Sequence, residues 1–133
     1  MPPLRRRPIL AVDDEPALLR LFQRYLVRFG FEVEICSNAR QALEQFTRDA
    51  ARYELVLADL TMPGMSGQEL LEQLRRLNPQ ICVLLCSGYP FNPLGLPVEI
   101  RRRVRFLQKP FLPAMLIEAI EELLASDEAA PPE

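Results

Sequence analysis

The sequence predicts one α/β domain: a doubly wound, five-stranded parallel sheet with helices on both faces. Three observations lead there. Strand-like apolar runs alternate five times with segments of helical periodicity. Three of those runs, "ILAV" (9–12), "LVLA" (55–58) and "ICVLLC" (81–86), are continuously apolar, as strands buried on both faces are, whereas "FEVEIC" (31–36) and "VRFL" (104–107) alternate. Finally, 133 residues, 49% hydrophobic and 26% charged, have the size and composition of one globular domain. The order 2-1-3-4-5 places the two alternating strands at the edges, and right-handed crossovers then fix the topology.

Each element has a local reason. After the first strand, Leu18, Leu21, Phe22, Tyr25, Leu26 and Phe29 recur at helical spacing, with Pro16 in the first turn and Gly30 at the end. The second helix carries Ala39, Ala42, Leu43, Phe46 and Ala50 behind a cap at Ser37 or Asn38. Ser66 and Glu69 form a capping box for the third, which bears Leu70, Leu71, Leu74 and Leu77 and stops before Pro79. The last helix carries Met115, Leu116, Ala119, Ile120, Leu123 and Leu124, with Pro113 in its first turn. The domain spans residues 8–125. The Pro- and Arg-rich 1–7 and the acidic, Pro-rich 126–133 read as flexible tails.

The stretch between the fourth and fifth strands is the exception. In "GYPFNPLGLPVEIRRRV", Pro90, Pro93 and Pro97 lack an N–H and disfavour helix in the residues before them. A fourth helix is therefore short or absent, confined to about two turns over 98–104.

Composition excludes several functions. Histidine is absent, which removes Ser-His-Asp and Cys-His catalysis, a His-based zinc site and a phosphohistidine within these residues. A net charge of −2 gives no electrostatic case for nucleic acid or an anionic membrane. Cys36, Cys82 and Cys86 sit in or beside apolar runs and read as reduced core thiols of a cytoplasmic protein. No apolar stretch approaches the roughly 20 residues of a membrane helix.

In a doubly wound sheet, ligands bind at the carboxyl ends of the strands. Strand one ends in Asp13, Asp14 and Glu15, strand three in Asp59, strand four in Ser87, and strand five runs into Lys109 and Pro110. Like charges crowded at one rim call for a counter-charge, and Mg²⁺ is the hard cation suited to carboxylate, carbonyl and water ligands. A cation, a lysine and a hydroxyl around Asp59 suit phosphoryl transfer onto that carboxylate.

"VDDEP", "LADLTMPGMSG", "CSGY" and "LQKPF" resemble the receiver domain of two-component response regulators, most closely those attached to hybrid sensor histidine kinases. The resemblance implies a flavodoxin-like (βα)₅ fold and a signalling phosphoacceptor, not an enzyme, that takes a phosphoryl group from a sensor histidine kinase or a histidine phosphotransfer protein. It implies Asp59 as phosphoacceptor, direct Mg²⁺ ligation by Asp14 and Asp59, Asp13 acting through a water, and a backbone carbonyl from Thr61, with Mn²⁺ as an alternative ion. Ser87 and Lys109 would hold the phosphoryl oxygens, Ser87 and Phe106 would form the switch, and the Lys109–Pro110 bond would be cis. A homodimer is left open; direct nucleic-acid or membrane binding is not implied. Ser87 stands where threonine is more usual, and Phe106 lacks the hydroxyl of a tyrosine switch.

Three other readings fit less well. A haloacid-dehalogenase-like phosphatase needs a second Asp two residues after the nucleophile, where this chain has Thr61. A degenerate receiver acting as a scaffold would lack part of the acidic set. A flavin carrier needs a phosphate loop where this chain has the anionic "DDEP".

Overall fold

The structure, a computed structural model, describes residues 7–90 and 97–129, and for residues 99 and 126–129 the backbone only. Its strands are β1 (Ile9–Val12), β2 (Val33–Cys36), β3 (Leu55–Asp59), β4 (Cys82–Ser87) and β5 (Val104–Gln108). Its helices are α1 (Pro16–Arg28), α2 (Ala39–Arg48), α3 (Gly67–Leu77), α4 (Val98–Arg101) and α5 (Pro113–Ala129). The strands form one parallel sheet in the order β2-β1-β3-β4-β5. Every residue of β1, β3 and β4 is buried, while β2 and β5 are partly exposed, so the continuous and alternating patterns do separate centre from edge.

Alternation along the central strands builds two cores. Leu10, Val12, Val56, Ala58, Val83 and Leu85 face α2 and α3 on one side. Ile9, Ala11, Leu55, Leu57, Leu84 and Cys86 face α1 and α5 on the other. Each fully buried aliphatic side chain contributes about 1.5–3 kcal/mol relative to exposure. All three cysteines are free and buried. Burial pushes the Cys86 thiol up to about 12, so it holds no reactive thiolate near neutral pH.

Local signals decide the helix ends. Asn38, rather than Ser37, caps α2 by accepting a hydrogen bond from the Gln41 N–H at 2.9 Å. Ser66 and Glu69 form the expected capping box of α3. Two boundaries differ from expectation. Helix α5 continues to Ala129, past the domain limit at 125, because the run after Leu124 holds no helix breaker before Pro131. Arg7, assigned to the leading tail, donates from Nη1 to the Ala51 carbonyl at 2.9 Å. Residues 1–6 and 130–133 lie outside the described residues.

Among the described residues between β4 and β5, helix is confined to the four residues of α4. That is one turn rather than two, because Val104 is drawn into the sheet opposite Val83 and the Arg103 carbonyl accepts from the Val83 N–H at 2.8 Å. Residues 91–96, which include Pro93, lie outside the described residues. No helix among those described is long and apolar enough to cross a membrane.

Candidate functional site

Main-chain pairing brings the carboxyl ends of the strands together. The Leu60 N–H donates to the Cys86 carbonyl at 2.8 Å, tying the end of β3 to β4, and the Lys109 N–H donates to the Ser87 carbonyl at 2.8 Å, tying the end of β5 to the same strand. The Asp13 N–H reaches the Cys36 carbonyl at 3.3 Å. The strand ends therefore converge by register, not by chance contacts of side chains.

Asp59 is 5% exposed and Asp13 only 1%. Lys109 lies between them: its Nζ donates to Asp13 Oδ2 at 3.0 Å and to Asp59 Oδ2 at 3.2 Å. The second oxygen of each carboxylate is held by the chain that follows it. Asp13 Oδ1 accepts from the Glu15 N–H at 2.9 Å. Asp59 Oδ1 accepts from the Thr61 N–H at 3.0 Å and from the Thr61 hydroxyl at 3.1 Å. Ser87 is buried, and its Oγ accepts from the Tyr89 N–H at 3.0 Å. The Lys109–Pro110 peptide is cis, as the resemblance implied. Gly67 closes the floor: its N–H donates to the Leu60 carbonyl at 2.9 Å, and a Cβ there would stand 2.6 Å from Leu60 Cα.

The electrostatics follow from burial. Desolvation raises the Asp13 carboxyl above its ordinary value, opposed by the Glu15 N–H and by Lys109. Burial pulls the Lys109 ammonium down, but hydrogen bonds and charge from Asp13 and Asp59 outweigh it, and the group is held above the usual lysine value.

One oxygen from each of Asp13, Asp14 and Asp59 falls within a cluster 4.8 Å across, with Asp14 exposed at its mouth. An all-oxygen set with excess negative charge, already drawing one ammonium inward, fits a hard divalent cation.

Three comparisons with known proteins agree on the family. The model of the response regulator receiver domain matches residues 9–121. The chain belongs to that receiver family. It is 30% identical over 116 residues to the sensor kinase CckA of Brucella abortus, covering 87% of the chain but only 12% of that kinase. A CheY-like receiver domain protein from Methanospirillum hungatei superposes with a TM-score of 0.81 at 30% identity, covering 93% of the chain and 98% of that structure. The response regulator TrrA of Thermotoga maritima, solved in complex with Mg(2+)-BeF, superposes with a TM-score of 0.75 at 29% identity, covering 89% and 99%. Receiver domains are the phosphoacceptors of two-component signalling; they bind Mg²⁺ at an acidic aspartate cluster and interact with histidine kinases or phosphotransfer proteins.

The structure gathers Asp13, Asp14, Asp59, Ser87 and Lys109 at one rim. Phe106 stands apart, half-buried against the core under α2 and α3. The reading from sequence missed the Thr61 hydroxyl on Asp59; an Asp-x-Thr just past a strand is its signal, since a hydroxyl two residues on can join the backbone N–H in an Asx turn. It also missed a polar cluster at the β2 edge. There Glu34 accepts from Tyr53 Oη at 2.7 Å, from Gln45 Nε2 at 2.6 Å and from Arg52 Nε at 2.8 Å.

Proposed function

We propose that Asp59 is the phosphoacceptor of this receiver domain and takes its phosphoryl group from a phosphohistidine on a sensor histidine kinase or histidine phosphotransfer protein. The observation that carries the reading is the Lys109 ammonium, which bridges Asp13 and Asp59 at a rim where Asp14 and Ser87 also stand. An Asp59 carboxylate oxygen attacks phosphorus. The phosphorus–oxygen bond forms as the phosphorus–nitrogen bond breaks, and the electron pair of the broken bond stays on the leaving imidazole. These residues contain no histidine, so the donor imidazole lies outside them.

The local partners assign the other roles. Thr61 orients one Asp59 oxygen through its N–H and hydroxyl. Lys109 moves from pairing two carboxylates to neutralising the phosphoryl oxygens, and the Ser87 hydroxyl donates to one of them. Asp13 (through a water), Asp14, Asp59 and the Thr61 carbonyl are the groups that would hold Mg²⁺, with Mn²⁺ as an alternative. When bound, the ion supplies charge neutralisation at the phosphoryl oxygens. Ser87 and Phe106 form the switch. Phe106 pairs with Leu85 across β4 and β5, two residues before Ser87, so a shift of Ser87 changes the space beside that ring. The domain is a signalling phosphoacceptor rather than an enzyme with an external substrate, although it assists its own phosphorylation and dephosphorylation. It works in the cytoplasm, without direct contact with nucleic acid or membrane.

Incubation with acetyl phosphate and Mg²⁺, followed by intact mass spectrometry, tests this. One acid-labile phosphoryl group is expected on the wild type and none on Asp59→Asn; undiminished labelling of that variant overturns the assignment.

A further inference from the structure

The two ends of the sheet differ in charge. The rim carries Asp13, Asp14, Glu15 and Asp59 against Lys109. At the opposite end the strands start and the helices stop, and arginine collects there. Arg28, Arg48, Arg75 and Arg76 lie in the last turns of α1, α2 and α3. Arg7, Arg52, Arg102 and Arg103 stand just before β1, β3 and β5. Among the residues whose side chains are described, the acids beside them are Glu32, Asp49 and Glu54. Arg52 is engaged by Glu34 and, at 3.8 Å, by Glu32. Helix macrodipoles favour the four arginines at helix ends but give no reason for the four that precede strands.

Three of these guanidinium groups sit around one cleft of about 570 Å³. Arg7, Ala50 and Ala51 line one side of it, Leu77, Asn78 and Gln80 the other, and Glu54 also borders it. Arg7 Nη1 donates to the Ala51 carbonyl at 2.9 Å. Arg75 Nη1 donates to the Pro79 carbonyl and Arg103 Nη1 to the Gln80 carbonyl, each at 3.1 Å. Asn78 Nδ2 ties the two sides together by donating to the Ala50 carbonyl at 3.1 Å. The main chain therefore holds positive charge around the opening in advance, which lowers the entropy lost on recognition. Leu77, 42% exposed, and the two alanines set apolar surface among the charges.

We propose that this end of the domain docks an acidic segment of a partner polypeptide. Its carboxylates meet Arg7, Arg75, Arg76 and Arg103, and one of its apolar side chains enters the cleft against Leu77. Charge complementarity selects the partner, and the guanidinium fork matches a carboxylate through two parallel hydrogen bonds. Nucleic acid fits less well. The aromatic ring bordering the cleft, Tyr53, is 2% exposed and its hydroxyl is taken by Glu34, so the cleft offers no ring for a base to stack on. An anionic bilayer is flat and does not enter a cleft, where Leu77 and the two alanines lie. Asp59 stands at the other end of the sheet, so docking leaves the phosphoacceptor open and holds the domain beside its partner in either phosphorylation state.

A phage-displayed library of random twelve-residue peptides, selected on the whole chain, tests it. The selected peptides are expected to carry net negative charge and an apolar residue. In fluorescence anisotropy, a selected peptide is expected to bind Arg7→Glu/Arg76→Glu about tenfold or more weakly, because two attractions become repulsions. Leu77→Ser is expected to weaken binding about threefold or more, through lost apolar contact. Arg20→Glu/Arg24→Glu, the same charge change on the exposed side of α1, is expected to stay within about twofold of the wild type. Asp59→Asn is expected to do the same, which separates this docking from the phosphoacceptor assignment. Circular dichroism checks that each variant is folded. A thymidine oligonucleotide and phosphatidylglycerol vesicles are titrated alongside. Selected peptides without acidic character, acidic peptides indifferent to the Arg7, Arg76 and Leu77 changes, an equal loss in the α1 variant, or an oligonucleotide or vesicle that binds this end more tightly than the peptides would each overturn the proposal.

Discussion

The rim at the strand ends and the connection from Gly88 to Arg103 leave the same strand and are built on different principles. At the rim, Asp13, Asp59 and Ser87 are nearly inaccessible, and each polar atom named above is met by a main-chain N–H, a hydroxyl or the Lys109 ammonium. In the described part of the connection, Tyr89 and Val98 are 73% and 59% exposed, and α4 is a single turn. The lesson is where precision resides. Sheet register places the rim groups, and register is costly to change because a one-residue slip turns every side chain to the other face. The described part of the connection carries Pro90 and Pro97, and the hydrogen-bond partners of Asp59 named above, Thr61 and Lys109, lie outside it.

Lys109 should break this contrast most severely. Lys109→Met removes a preorganised positive group from a buried site, and phosphorylation by acetyl phosphate should slow by about 10²–10³-fold. Val98→Ala in the connection should change the rate by less than about twofold, the level expected of an exposed side chain away from the site. Time-resolved intact mass measures both.

Mg²⁺ should come next. At 100 times its dissociation constant, an ion that binds only the folded state stabilises by about 2.7 kcal/mol. Melting curves in EDTA and in Mg²⁺ should show this gain for the wild type and for Val98→Ala, and Asp14→Ala should lose it.

Two glycines sharpen the comparison. Gly67→Ala puts a Cβ against the Leu60 backbone and should destabilise by about 1–3 kcal/mol in urea unfolding. Gly88→Ala meets nothing within 4 Å and should be neutral or stabilising by up to about 1 kcal/mol.

The β2 edge supplies a smaller, pH-dependent effect. Burial acts to raise the Glu34 carboxyl, but the Tyr53, Arg52 and Gln45 hydrogen bonds outweigh it and hold it below its ordinary value of 4.5. A carboxyl lowered in the folded state contributes stability that is present above the unfolded value and is lost as pH falls through the folded one. Glu34→Gln should therefore cost about 1–2 kcal/mol at pH 7. The gap to wild type should close as the pH drops below 4.5.

The strand order was legible because burial on two faces leaves no room for polar residues in β1, β3 and β4. The rim was legible because Asp59 and Ser87 end their strands and Asp13 and Lys109 each follow immediately on one, where register fixes their meeting. The Glu34 cluster was not, since Tyr53 and Arg52 stand outside any periodic pattern and meet Glu34 only once β2 and β3 have both paired with β1. The single turn of α4 was half legible: prolines forbid a longer start, but competition between helix and strand at Val104 is decided by β4. The Thr61 hydroxyl is signalled only by a short Asp-x-Thr turn, which many turns share without such a bond.

The central claim is that Asp59, among three clustered carboxylates, receives the phosphoryl group. Borohydride reduces an acyl phosphate to an alcohol, so treating the phosphorylated protein converts the acceptor aspartate to homoserine, which peptide mass spectrometry can place in the chain. The account predicts homoserine at position 59 alone and only after phosphodonor and Mg²⁺ have been supplied; homoserine at position 13 or 14, or none anywhere in a chain that mass spectrometry shows to be phosphorylated, would contradict it.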